Sequence, residues 1–144
     1  TGEIIKGIGI FNAYTQGSNN RMIQNLLIKI EPKIASDIKK IYPNNQLIGF
    51  ENHSGKTYLS NNTKPLGYVL KGSGNNGEDK TEGAVYKNAF GCYLHGSLLP
   101  KNPHFADFLI TKALEKNYGK IKLKRLNDKI EWQAHKQAIN RLNS

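Results

Sequence analysis

The 144-residue sequence predicts a single α/β domain. Three observations carry this reading. Short stretches rich in β-branched residues recur through the first two thirds of the chain. Two segments near the C-terminus show the 3.6-residue apolar period of helices. Between these regions, Ala89-Phe-Gly-Cys-Tyr-Leu-His95-Gly96 ends an apolar run on an ionisable imidazole followed at once by glycine. A strand delivers a catalytic group to the rim of a sheet in this way.

Taken in order, Ile4 to Phe11 reads as a strand with two internal glycines, and Asn12 to Asn20 as a polar loop. Arg21 to Ile30 is apolar and partly alternating, a strand with a short helix as the competing reading. Pro32 to Tyr42 predicts a short helix with Ile34, Ile38 and Ile41 at helical spacing, closed by a turn at Pro43-Asn-Asn45. Short strands follow at Gln46 to Glu51, Thr57 to Leu59 and Pro65 to Lys71. Ala84 to Tyr86 and Ala89 to His95 read as strands joined tightly at Lys87-Asn88. Asn102 is a good N-cap, Pro103 fits the first helical position, and Gly119 supplies a left-handed cap, so a helix is predicted between them. A second helix is expected over Lys129 to Leu142, with Ile130, Ala134, Ala138 and Ile139 inward.

Composition bounds the function. The chain carries a net charge of +10, mostly from lysine, with a mean hydropathy of −0.58. The lysines are scattered and no aromatic residues interleave with them as a stacking platform would need, so solvation is favoured over nucleic-acid binding. No apolar run approaches the roughly 20 residues of a membrane span. The first residues lack a signal-peptide core and an initiator Met, so a fragment or processed product in a reducing cytoplasm is expected. One cysteine excludes an intrachain disulfide and a cysteine-based zinc cluster. His104 and His135 lack metal-ligand spacing, and no metal or cofactor is expected.

Several motifs have bland readings. Gly72-x-Gly74-x-x-Gly77 matches a dinucleotide fingerprint by letters, but Glu78-Asp-Lys-Thr-Glu82 follows it where a helix is required; a mobile hairpin loop is expected instead. Asn52-His-Ser54 and Asn61-Asn-Thr63 are chance glycosylation sequons without a secretory signal. Cys92 lies three residues before His95 within the apolar run, so alternation turns it to the opposite face; a buried, inert thiol is expected.

Other motifs converge. Gly7-Ile-Gly-Ile10, Tyr14-Thr15 and Asn20-Arg21 precede Gly49-Phe-Glu-Asn-His-Ser-Gly-Lys-Thr57, and Glu82 to Gly96 closes the series. Their order resembles the C-terminal half of a class I glutamine amidotransferase domain of the cobyric-acid-synthase-like (CobB/CobQ) branch. That branch includes glutaminase subunits of lipid II isoglutaminyl synthases. The resemblance runs from about Gly2 to Leu114, with an extra segment near Pro32 to Asn45. It implies a flavodoxin-like, three-layer α/β amidotransferase domain, of which residues 1–144 hold the C-terminal part.

By the same resemblance His95 is the catalytic imidazole, Arg21 holds the α-carboxylate of glutamine, and Glu51, Asn52 and His53 form a pocket wall or sheet-edge motif. An imidazole can take and return a proton near neutrality, and a planar guanidinium can bind both oxygens of a carboxylate. The implied partners are glutamine and a Mur-ligase-like, ATP-using synthetase subunit that receives ammonia for amidation of a peptidoglycan precursor. Lys56 replaces the usual arginine, and Ser97 stands where a triad glutamate would follow His95. The nucleophilic cysteine of the family is not found before this region, so the chain alone is expected to be inactive. The alternatives are a non-catalytic, partner-docking remnant, the glutaminase domain of a cobyric-acid-synthase-like enzyme, and a basic nucleic-acid-associated protein.

Overall fold

A computed structural model describes residues 3–40 and 42–143. Helix and strand are mixed, as the α/β class requires. The central sheet has four strands in the order β3-β2-β5-β6: β2 (Met22–Ile30), β3 (Gln46–His53), β5 (Gly67–Lys71) and β6 (Thr81–Glu82). Two two-stranded pairs flank it, β1 (Ala13–Gln16) with β4 (Lys56–Leu59), and β7 (Ala84–Tyr86) with β8 (Ala89–Gly91).

Every named strand pair is antiparallel. The parallel register of a flavodoxin-like sheet is therefore absent among the described strands. Connectivity contributes: β7 and β8 are joined by a short link, and even α1 (Pro32–Lys39) returns the chain to β3 antiparallel to β2.

Alternation along β2 and β3 sorts the two sheet faces. Leu26, Ile28, Ile30 and Leu47 meet Ala35 and Ile38 of α1 and Phe105 and Phe108 of α3 (Pro103–Tyr118) in one buried cluster. The register partners Leu27 and Ile48 lie on the other face and are also buried. Phe90 packs edge-on against Phe105 and Phe108, tying the β7–β8 hairpin to the core. The last helix, α4 (Lys129–Asn143), contacts β3. Its His135 is fixed by the Asn44 side chain, 3.0 Å away, and by the Lys101 carbonyl, 2.8 Å away.

Several sequence expectations require correction. Residues 4–11 form no strand, and Ile4, Ile5 and Ile8 are each 90% exposed. A strand exists through its partners, and no other described strand pairs with this stretch. A strand appears instead at Ala13–Gln16, inside the expected loop, because β4 is there to pair with it. The apolar run from Ala89 leaves the hairpin at Gly91, so β8 stops well short of His95. A short helix, α2 (Leu98–Lys101), was not expected. Ile130 is exposed on α4, whereas Trp132 and His135 turn inward. Gly119 has a positive φ of 74° but an extended ψ of −160°, so it ends α3 without a left-handed helical residue. Of the three isoleucines at helical spacing, Ile38 is fully buried and Ile34 packs on the core, while Ile41 lies outside the described residues.

Asn102 also departs from expectation. It occupies the N-cap of α3 but makes no side-chain capping bond. Its amide reaches across to β3: Oδ1 accepts from the Ile48 N–H at 3.0 Å, and Nδ2 donates to the Ile48 carbonyl at 2.8 Å and to the Leu98 carbonyl at 2.7 Å. These bonds satisfy the open edge of β3, which would otherwise present unpaired backbone groups.

Candidate functional site

The edge of β3 positions His95. Three alternate residues, Gln46, Ile48 and Phe50, point main-chain groups away from β2. The Gln46 carbonyl meets the His104 ring at 2.9 Å, and Ile48 is held by Asn102. Phe50 exchanges both backbone bonds with His95, N–H to carbonyl at 3.1 Å in one direction and 2.8 Å in the other. His95 thus docks sideways on the sheet edge rather than at a strand end. Gly96 (φ 67°) and Ser97 (φ 64°) then turn the chain sharply into α2.

Residues directly opposite in an antiparallel bridge project to the same face. His95 therefore shares a face with Phe50 and, two residues on, with Asn52. Leu94 goes to the opposite face, where a Cβ on Gly49 would come within 2.9 Å of its side chain. Arg21, immediately before β2, donates from Nε to Asn52 Oδ1 at 2.8 Å. Arg21, Asn52 and His95 are all exposed. The three come from separate motifs, brought to one end of β3 by the β2–β3 register and the His95 bridge.

Glu51 and His53 take the buried face. Glu51 is completely buried, and its carboxylate accepts the backbone N–H groups of Ser73 (2.7 Å) and Gly74 (2.9 Å). Positive φ at Gly72 (109°) and Gly74 (69°) curls the loop so that its amides converge on one anion. The glycine-rich letters do build an anion cradle, and the anion it holds is the chain's own Glu51. The loop is not the free hairpin tip expected from sequence. Asn75 and Asn76 are buried, and their side chains bond Gly83, Thr81 and the Thr57 carbonyl. His53 stacks on Tyr93 with ring centroids 3.6 Å apart, and the Tyr93 hydroxyl lies 2.7 Å from Thr57 Oγ1.

Sequence reasoning passed over Glu82, which it grouped with loop acids. Glu82 is fully buried, and Oε1 accepts the Tyr93 N–H at 2.6 Å. Burial, joined by the charge of Glu51, pushes its carboxyl up to about 7. The available signal was a carboxylate followed by Gly83 and Ala84 at the start of an apolar stretch.

Cys92 needs correction too. The residue is exposed, because the chain leaves the hairpin at Gly91. Crowding around its thiol still dominates, and with the nearby Glu82 it pushes the thiol up to about 11. The group is protonated at neutral pH and a poor nucleophile, as expected, although not for the expected reason.

Two cavities, of about 960 and 410 Å3, adjoin at Asp37, Phe108 and Lys112, and neither is lined by Arg21, Asn52 or His95. Among the described residues no group of three or more His, Cys, Asp or Glu side chains could hold a metal ion. Among them, too, no helix is long and apolar enough to cross a membrane.

A family model for the CobB/CobQ-like glutamine amidotransferase domain matches residues 1–103. The lipid II isoglutaminyl synthase (glutamine-hydrolyzing) subunit GatD of Staphylococcus aureus (strain N315) is 38% identical over 142 residues, covering 99% of this chain and 53% of that protein. The subunit of the same name from Streptococcus pneumoniae (strain ATCC BAA-255 / R6) is 44% identical over 120 residues, covering 83% of this chain and 42% of that protein. The chain spans about half the length of the curated relatives it matches.

Proposed function

The chain belongs to the CobB/CobQ-like glutamine amidotransferase family, and from that premise we propose that it is the histidine-bearing part of a glutaminase that supplies ammonia for amidation of lipid II. Residues 1–144 are then the C-terminal part of the amidotransferase domain. The observation that carries the reading is the placement of His95, Asn52 and Arg21, from three family motifs, on one exposed face at the end of β3.

In this reading a cysteine from outside these residues attacks the side-chain amide of glutamine as a thiolate. His95 protonates the leaving ammonia and then takes a proton from the water that cleaves the thioester. Arg21 binds the α-carboxylate, with Asn52 fixing the guanidinium through the 2.8 Å bond to Nε and leaving its terminal nitrogens for the substrate. Ammonia passes to a Mur-ligase-like, ATP-using subunit, so nucleotide and metal sites belong to that partner and the complex works in the cytoplasm.

The test is reconstitution. The chain is coexpressed with the half of the Staphylococcus aureus relative that it does not match, and the complex is isolated as one species. It releases glutamate from glutamine, His95→Asn abolishes release, and Arg21→Lys raises KM about tenfold or more by losing the bidentate fork. Undiminished release with His95→Asn would overturn the assignment.

A further inference from the structure

Beneath the segment that carries His95 lies a dry cluster of three titratable side chains. Glu51 and Glu82 are each 0% exposed. His53 Nδ1 lies 2.9 Å from the Gly55 carbonyl and must donate to it, since a carbonyl only accepts. The other ring nitrogen, Nε2, is buried without a hydrogen-bond partner and sits 3.6 Å from Glu51 Oε2. Glu82 Oε2 is likewise buried and unpartnered. Two ionised carboxylates beside an imidazole lone pair cannot coexist cheaply out of water, because like charges and unpaired acceptors each raise the energy. A proton on Glu82 removes one of the two neighbouring carboxylate charges.

The cluster connects to His95 through Tyr93. Glu82 Oε1 takes the Tyr93 N–H at 2.6 Å, and the Gly83 and Leu94 amides also stabilise its charged form. The Tyr93 ring is stacked on His53 from one side and meets the His95 ring at 6.4 Å and 74° from another. Its hydroxyl is tied through Thr57 Oγ1 to Thr15 Oγ1, at 2.7 Å for each bond. The groups that act on Glu82 are therefore Glu51 from β3, the Tyr93, Leu94 and Gly83 amides, and the Cys92 thiol.

We propose that Glu82, buried in one cluster with Glu51 and His53, is a positioning residue for His95: its carboxyl grips the Tyr93–Leu94 peptides while His53 stacks on the Tyr93 ring, and the charge state of Glu82 sets the alignment of the His95 imidazole. The proposal rests on reading His95 as the reacting imidazole. Glu82 acts through the main chain and not on the imidazole, so its place differs from that of a triad carboxylate. It supplies from below the orientation that Ser97, after a tight left-handed turn, does not supply from beside the ring. The Glu82 carboxyl, near 7, changes charge in the range where a glutaminase histidine must exchange protons.

The test is an NMR pH titration of the isotopically labelled chain from pH 5 to 9. In the wild type the Tyr93, Leu94 and Gly83 amides share one midpoint near 7, and the His95 ring proton on Cε1 shows that same inflection. Glu82→Gln keeps an oxygen to accept the Tyr93 N–H and should melt cooperatively, yet removes the shared inflection from all four signals. Glu82→Ala loses both the inflection and the downfield position of the Tyr93 amide. Amides that stay flat across the range, or an inflection that survives in Glu82→Gln, would overturn the proposal. Failure of the glutaminase reading looks different: the coupling would be present, while glutamate release by the reconstituted complex would ignore His95→Asn.

Discussion

Asn102→Ala isolates the bond that fixes α3 to the sheet edge. Asn102 is 0% exposed and Ile48 1% exposed, so water does not replace what the amide supplies. The substitution removes three hydrogen bonds and leaves the Ile48 N–H and carbonyl buried without their partner. Each abandoned buried group costs about 1–3 kcal/mol, so a loss of about 4 kcal/mol is expected. Removing an ordinary N-cap costs about 1 kcal/mol, and a domain's whole stability is only about 5–15 kcal/mol. The magnitude therefore separates a clamp from a cap. Urea denaturation of both proteins gives the difference, and hydrogen exchange at the Ile48 amide locates it. Asn102→Asp should be no milder at neutral pH, because it keeps the acceptor for Ile48 N–H but turns carboxylate oxygen toward the Ile48 and Leu98 carbonyls. A loss near 1 kcal/mol with the Ile48 amide still protected would refute the reasoning.

Other outcomes follow from the same geometry. The isolated chain releases no glutamate from glutamine, since the Cys92 thiol, near 11, is almost wholly protonated at pH 7; release abolished by Cys92→Ala would contradict this. Glu82, near 7, holds its proton in the folded state after the unfolded chain has lost it near 4.5. The resulting stability, about 3 kcal/mol, is full below pH 4.5 and lost as pH rises through 7. His104 runs the other way: burial pulls it to about 4 from 6.5, so its contribution is full above pH 6.5 and lost as pH falls through 4. The two slopes oppose each other between about pH 4.5 and 6.5. Glu82→Gln removes the first slope and leaves that of His104 together with the like-signed one of His135, which burial also lowers, so urea midpoints of that variant should fall from pH 6.5 to 5; a flat profile would contradict it. Gly49→Ala puts a methyl 2.9 Å from Leu94 Cδ2 and 3.1 Å from its Cα. It should cost about 1–3 kcal/mol in thermal melts and, by displacing the residue before His95, lower kcat in the reconstituted complex.

The sequence by itself determined the local elements whose cause is local. The apolar run of β2, the Pro32 and Pro103 helix starts and the tight Lys87-Asn88 link all depend on neighbours in the chain, and all are present. Motif order pointed to the family, because Arg21, the Gly49–Thr57 stretch and His95 stand in a spacing that resembles it. Tertiary structure decided everything that depends on a partner far away in sequence. Residues 4–11 have strand composition but no described strand to pair with, so propensity alone leaves them exposed. Asn102 carries a cap residue's chemistry but spends it on a strand edge 54 positions away. Glu82 reads as one more loop acid until the fold buries it against Tyr93 and Glu51, where desolvation and a like charge reset its proton affinity. Local pattern specifies backbone conformation; only the three-dimensional meeting of distant residues specifies which polar groups lose their water, and the chemistry of this site follows from that loss.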